Sequence, residues 1–484
     1  MKEIIINPIT RLEGHGKITI FLNEQGNVEN AYLQIPELRG FERFCVGRKA
    51  EDMPQLTSRI CGVCPVAHHM AGTKTLDAAF NVEPPSAAKK LRELMYSGYI
   101  IEDHTLHFFY LGGPDFIVGP DAPPEKRNIL GIIEKAGLEI GKDIIKHRAY
   151  GQRIIEIMGG KAIHPVCGLP GGISKPLSEE SRQEIEKMAT SCVEFVKRSL
   201  KLFHDIVLGN ENYVEMIKSD AYTLKTYYMG LVDENNKVNF YDGKVRVVDP
   251  NGNEFLKFAP EEYLNHVAER VEEWTYVKTP YLKKVGWKGF VDGSDSGVYR
   301  VGPLGRLNAA DGMATPLAQE EYEIMYKTLG GKPVHSTLAF HWARLIEILY
   351  AAERAVELSK DPEITSEKVR NLPGKPGEGM GIVEAARGTL IHHYVLDEDA
   401  LVKNVNLIVA TTNNYPAICM SIRDAAKGLI HKGNVSEGLL NRVEMAFRAY
   451  DPCFACASHC AIGQMPLTVE IRNHEKNIIK TVQR

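Results

Sequence analysis

The sequence predicts a mainly α, α+β protein: a large helix-bundle core, an N-terminal β hairpin or sheet, and an irregular mid-chain insertion. Three observations carry that expectation. Apolar residues recur at helical spacing through most of 66–218 and again beyond 317. The first forty residues instead hold β-branched runs separated by turn residues. Residues 220–315 keep neither period for long and are broken repeatedly by glycine.

Taken in order, Ile4–Ile6, Lys17–Leu22 and Val28–Ile35 read as strands, with Asn23–Gly26 as a turn. Helices are expected over 66–81, 86–111, 125–158, 178–218, 317–329, 338–360, 397–409, 418–430 and 435–448. Short strand-like pieces, Lys244–Val248 and Val298–Val301, lie in the insertion. The apolar run His107–Leu111 reads as core. No repeat or low-complexity linker divides the chain, so 1–459 is expected to form one domain.

Composition narrows the function. A chain of 484 residues with a net charge of -4 has no basic excess to hold phosphates, which argues against nucleic-acid binding. No run of about 18 apolar residues is present, so no membrane span is expected. The N-terminus lacks the apolar core and cleavage site of a signal peptide, and the expectation is a cytoplasmic protein. Nine cysteines are too sparse for a disulfide scaffold. Four of them form two C-x-x-C pairs, Cys61/Cys64 and Cys453/Cys456.

A C-x-x-C turn places two sulfurs within reach of one metal, and two such turns make a soft four-thiolate set suited to zinc, nickel or an iron–sulfur cluster. Zinc ribbons space their pairs about 12 to 20 residues apart. Here the second pair comes nearly the whole chain later, so the entire fold has to bring the pairs together. That suits a buried active site better than a local staple. The remaining cysteines, Cys45, Cys167, Cys192, Cys419 and Cys460, have no metal spacing and read as inert packed thiols.

The first pair lies in Arg59-Ile-Cys-Gly-Val-Cys-Pro-Val-Ala-His68 and the second in Asp451-Pro-Cys-Phe-Ala-Cys-Ala-Ser-His459. With Arg11-Leu-Glu-Gly-His-Gly16, these resemble the signature set of nickel–iron hydrogenase large subunits, over nearly the whole chain. Arg39-Gly-Phe-Glu42, Gly159–Pro165, Pro170–Gly172, Gly379–Gly388 and Val409–Asn414 extend the resemblance. Ala386 departs from it, standing where the family commonly has proline.

The resemblance implies a set of roles. Cys61 and Cys453 would be terminal nickel ligands, and Cys64 and Cys456 would bridge nickel to an iron carrying cyanide and carbon monoxide. Glu13 would relay protons. Arg387, held by Asp103 and Asp451, would stand over the open face of the nickel, and His68 would hydrogen-bond a bridging sulfur. Thr411 falls in the block lining the iron side. Glu42 and His459 would hold a second hard cation, magnesium or iron.

A bland reading stands beside each role: a zinc site for the cysteines, a turn-tying carboxylate for Glu13, a structural ion pair for Arg387 and Asp103, a satisfied core imidazole for His68, and a surface glutamate for Glu42.

The chain has no four-cysteine cluster spacing beyond these pairs, no G-x-G-x-x-G after a strand and no Walker loop. The expected partners are therefore a small iron–sulfur subunit together with further subunits carrying the acceptor site. The resemblance leans to a cytoplasmic, bidirectional or cofactor-coupled branch. It also implies a maturation protease that cuts after His459, which would make 460–484 a removable extension. The alternating stretch Met465–Ile471 is expected to pair with a sheet edge before that cut.

Overall fold

The computed structural model describes residues 2–459, 468–473, 475 and 477–483. At the N-terminus β1 (Lys2–Ile6), β2 (Lys17–Leu22) and β3 (Val28–Gln34) form an antiparallel sheet in the order 1-2-3. The expected Asn23 turn joins β2 to β3, with the Asn23 side chain accepting from the N–H groups of Gln25 and Asn27.

After the short helix α1 (Phe41–Cys45) come the core helices: α2 (Pro65–Ala79), α3 (Ser86–Leu106), α4 (Leu138–Gly159) and α5 (Glu179–Phe203). Later in the chain α6 (Gly302–Ala309) and α7 (Phe340–Lys360) complete the bundle. Their stripes explain the packing. α5 buries Ile185, Met188, Ala189, Cys192, Phe195, Val196 and Leu200 at helical spacing, and packs on α7 and α4. α3 runs between α4 and α7 and is buried on nearly all sides from Leu94 to Thr105. His107–Gly112 continues it as a π-helical turn with Phe108 and Phe109 buried, so this run is core as expected.

Two expected helices are divided. Gly137, at φ 100°, separates Ile129–Ala136 from α4, and Asn210 caps a new helix, Glu211–Lys218, after the end of α5. The expected helix over 397–409 is overturned. A three-stranded antiparallel sheet occupies this region, made of β7 (Glu378–Ala385), β8 (Gly388–Leu396) and β9 (Val402–Ile408).

Leu401, Val405 and Ile408 stand at helical spacing, but Val405 and Leu407 alternate as in a strand, and β8 pairs along 402–408. Only the tertiary partner decides between the two. α2 packs against β7 and β8 and carries the first cysteine turn to this sheet. α8 (Ala410–Leu429) starts eight residues before its expected position and runs through Pro416.

The insertion holds a second small sheet, with β4 (Tyr227–Val232), β5 (Lys244–Val248) and β6 (Glu254–Phe258) antiparallel and Tyr299–Arg300 parallel to β4. α9 (Glu437–Arg448) and the single turn α10 (Phe454–Ala457) follow α8. In the tail, β10 (Thr468–Arg472) pairs with β11 (Ile478–Gln483). The described part of the expected tail strand thus pairs within the tail rather than with a sheet edge of the body. Residues 465–467 lie outside the described residues.

Candidate metal centre

The first cysteine turn is built by its sequence. Pro65 occupies the first turn of α2, where a missing N–H costs nothing, and Cys64 is its N-cap. The N–H groups of Val63 and Cys64 donate to Cys61 Sγ at 3.2 and 3.3 Å. The second turn is built in the same way, Cys453 preceding α10 and donating its N–H to Thr411 Oγ1 at 3.0 Å. Thr411 itself sits in the first turn of α8.

The four sulfurs converge. Cys61 and Cys453 Sγ are 3.4 Å apart, Cys64 and Cys456 Sγ 3.4 Å, and Cys453 and Cys456 Sγ 2.7 Å. All four lie within 4.8 Å of one another and all are buried. Four buried thiols in van der Waals contact are a poor core arrangement and a good soft-metal ligand set. Hydrogen bonds from the Cys453, Cys456 and Cys64 thiols lower the pKa of Cys61, which makes it the first thiolate of the set, while burial raises Cys453 and Cys456. Outside the cluster, Cys45, Cys167, Cys192 and Cys419 are pushed up to about 12 by burial and are inert thiols, as their spacing suggests. Cys460 lies outside the described residues.

A small cavity opens beside Cys64, Cys453 and Cys456. Its walls are Ala385, Leu390, Val409 and Ala410, with Arg387, Thr411 and His68 as the polar members. Arg387 sits in the two-residue turn between β7 and β8. Gly388 closes that turn at φ 134°, and a Cβ there would meet Val301 at 2.1 Å. The guanidinium makes a two-pronged pair with Asp103, Nη1 to Oδ2 at 3.0 Å and Nη2 to Oδ1 at 3.1 Å, and Nη2 lies 2.9 Å from Asp451 Oδ2. Burial opposes the charge on Arg387, but the Asp103 and Asp451 carboxylates outweigh it and raise its pKa. Burial pushes Asp451 up to about 7.

Glu13 reaches the cluster from the other side. Its backbone pairs with the second cysteine turn, Phe454 N–H donating to Glu13 O at 2.9 Å. Gly14, at φ 88°, permits this approach, since a Cβ there would stand 2.8 Å from Ala455 N. Glu13 Oε2 lies 2.9 Å from Cys453 Sγ and accepts from Ala455 N–H at 3.1 Å. Burial, followed by the charge at Cys61, raises its pKa, so it holds a proton to a higher pH than an ordinary glutamate.

A second polar site lies behind Cys456. His459, fully buried, faces Cys456 O with Nδ1 at 2.6 Å and Leu407 O with Nε2 at 2.7 Å, and its Nε2 is 3.7 Å from Glu42 Oε1. Glu42 is buried, which removes the surface reading. Burial alone would raise its pKa, but His459, Lys278 and the Leu407 N–H lower it to about 2. His459 reaches this position in the full-length chain, so its approach to Glu42 does not depend on removal of the tail.

All twelve residues singled out in the sequence thus fall in two adjoining clusters. Sequence reasoning missed the residues that support them. Arg306 donates to the carbonyls of Ala385 and Ala386 and is paired with Glu347 and Glu384, all fully buried. Lys278 and Glu269 come from the irregular insertion, where no motif marks them. At Ala386 the difference from the family has a local counterpart: its N–H donates to Tyr99 Oη at 3.2 Å, a bond proline cannot make.

A helix-bundle body with four buried cysteine sulfurs brought together from its two ends has the ligand set of a metalloprotein, and comparison gives its family. The model of the nickel-dependent hydrogenase family matches residues 39–122 and 217–459, and a model described as HoxL-like matches 3–38. The chain belongs to the nickel-dependent hydrogenase family, and within it to the nickel–iron catalytic subunits.

Among its relatives, it is 49% identical over the full length of both chains to an F420-non-reducing hydrogenase iron-sulfur subunit of Archaeoglobus profundus. It is 38% identical, over 97% of each chain, to the NAD-reducing hydrogenase HoxS subunit beta of Cupriavidus necator. A solved structure of an NAD+-reducing [NiFe]-hydrogenase in the H2-reduced state superposes with a TM-score of 0.89 at 37% identity, covering 95% of this chain and 100% of that one.

Proposed function

We propose that this protein cleaves H2 reversibly at a nickel–iron centre held by Cys61, Cys64, Cys453 and Cys456, with Cys61 and Cys453 terminal and Cys64 and Cys456 bridging. The convergence of the four buried sulfurs carries this reading. A small cavity lined by Cys64, Cys453 and Cys456 adjoins the cluster. Cyanide and carbon monoxide on the iron would occupy that side, against the apolar Ala385, Leu390, Val409 and Ala410, with Arg387 and Thr411 as polar neighbours.

When bound, the centre supplies the redox and Lewis-acid chemistry that polarises H2. The chain's residues manage the protons and the charge. Glu13, in contact with Cys453 Sγ, takes the proton released there and passes it outward. Arg387 keeps a fixed positive charge over the cavity, oriented by Asp103 and Asp451. Val409, Ala410 and Leu390 exclude water from the reacting side.

Glu42, Leu407 O and His459 would hold a second cation, magnesium or iron, through carboxylate, carbonyl and imidazole donors.

Two electrons leave per H2, and the lack of cluster motifs in the sequence supports an iron–sulfur partner protein, with the acceptor on further subunits. One relative is named as NAD-reducing and another as F420-non-reducing, which leaves more than one acceptor open to the branch. Among the described residues no helix is long and apolar enough to cross a membrane. The proposed site of action is the cytoplasm, as the resemblance to cofactor-coupled branches implies.

Infrared spectroscopy with metal analysis on the purified complex tests the centre. One nickel per chain, with iron in excess of it from the iron–sulfur partner and with carbonyl and cyanide bands, is the expected result. Zinc in place of nickel, with no such bands, overturns it. A second expectation concerns the tail: a maturation protease cuts at His459–Cys460 once nickel is loaded. Intact mass of active protein should then correspond to residues 1–459, and a fully active sample carrying all 484 residues overturns the cut.

A further inference from the structure

We propose that His392 and Tyr394 are positioning residues that fix the tautomer and plane of His68, so that His68 Nε2 carries its hydrogen toward the bridging sulfurs. The inference rests on the nickel–iron reading above and adds two residues that no motif singled out. Three buried side chains form a line: His68 Nδ1 stands 3.1 Å from His392 Nε2, and His392 Nδ1 stands 2.6 Å from Tyr394 Oη. All three residues are 0% exposed. At the other end, His68 lines the site cavity, and its Nε2 is buried with no hydrogen-bond partner among the described residues. A buried imidazole nitrogen without a partner is costly, and its partner here is supplied by the site itself.

The direction of the line follows from donor counting. A metal-bound thiolate only accepts, so an Nε2 facing it must carry the hydrogen. Across 3.1 Å, two imidazole nitrogens share one hydrogen, so a neutral His68 accepts at Nδ1 and His392 donates from Nε2. His392 Nδ1 is then bare, and the Tyr394 hydroxyl donates to it. Donation into Nδ1 draws electron density from the His68 ring and strengthens the hydrogen bond from Nε2 to sulfur. β8 supplies the alignment: His392 and Tyr394 are two apart on one strand, hence on one face, and α2 packs His68 against that face. Outer partners of this kind orient the inner groups and tune the metal.

The alternative is that His392 merely fills space, and the two roles order the variants oppositely. His392→Phe keeps a ring of similar shape and loses the donor. His392→Gln changes the shape but can donate to His68 Nδ1 and accept from Tyr394. Weakening the hydrogen bond to sulfur makes the thiolate a better donor to the metals, which lowers the carbonyl stretching frequency and the nickel midpoint potential. Expected in metal-loaded complex are therefore a downward shift of both in His392→Phe, a return towards wild type in His392→Gln, and a smaller downward shift in Tyr394→Phe.

The reverse order, with Phe matching wild type and Gln displaced, overturns the inference. If neither His392 variant loads metal, Tyr394→Phe decides, and an unchanged band and potential there sink it. Wild-type protein without carbonyl bands would remove the nickel–iron centre and this inference together, whereas a banded wild type with the reverse order removes the inference alone.

Discussion

Glu13→Gln should slow H2/D2 exchange by about 10²–10⁴-fold, the usual worth of a positioned proton-transfer group, while nickel and iron stay bound. Gln is close in shape and can still accept from Ala455 N–H, as Glu13 Oε2 does at 3.1 Å, so the turn carrying Cys453 keeps its support. What the amide cannot do is take up and release a proton beside Cys453 Sγ.

The pH dependence should change with it. Burial and the nearby Cys61 charge raise the Glu13 pKa, so the wild-type carboxyl stays protonated above the ordinary glutamate range and empties as pH rises through the shifted value. The variant should lose that step from its pH profile. Metal content and infrared bands equal to wild type, with exchange near normal, would move the proton exit to another acid.

Arg387→Lys should lower turnover by about 10²–10³-fold, the scale seen when one preorganised charged or hydrogen-bonding group is withdrawn from a site. Lysine keeps the positive charge but presents a compact ammonium instead of a planar fork. It cannot make both bonds to Asp103 while also reaching Asp451, so one desolvated carboxylate is left short of a partner. Metal should still load, because Arg387 ligates nothing. Turnover, nickel content and infrared spectra measured on the same sample separate the outcomes. A variant with wild-type turnover would reduce the Arg387–Asp103 pair to a structural one.

The contrast between the site and the scaffold follows from where information sits in a chain. Each cysteine turn is encoded locally, by C-x-x-C spacing, Pro65 at the start of a helix and the flanking His68 and Asp451, so it reads directly. Glu13, Arg387 and Thr411 are recognisable through family motifs, and their contacts depend on backbone pairing that no local window reveals. β9 reads wrongly as a helix because Leu401, Val405 and Ile408 stand at helical spacing, and the pairing with β8 that makes 402–408 a strand lies outside any local window. β7 and β8 are buried nearly throughout, so they lack the alternation that marks a half-exposed strand. Arg306, Glu347 and Glu384 are charged residues in a core, and nothing in their neighbourhoods announces that they find one another.

The pairing of Cys61 with Cys453 across 392 positions also dictates an order of events during biosynthesis. A chain leaves the ribosome N-terminus first and its domains fold as they emerge. Glu13 and the first cysteine turn are therefore exposed to the cell long before Cys453 and Cys456 have been translated. Throughout that interval the nascent protein offers only two of its four sulfurs, a half-site that any thiophilic ion could enter. The complete four-sulfur site therefore exists only once the last segment has been made and has docked against Glu13 and Thr411. Docking of that segment is in this sense the step that finishes the site.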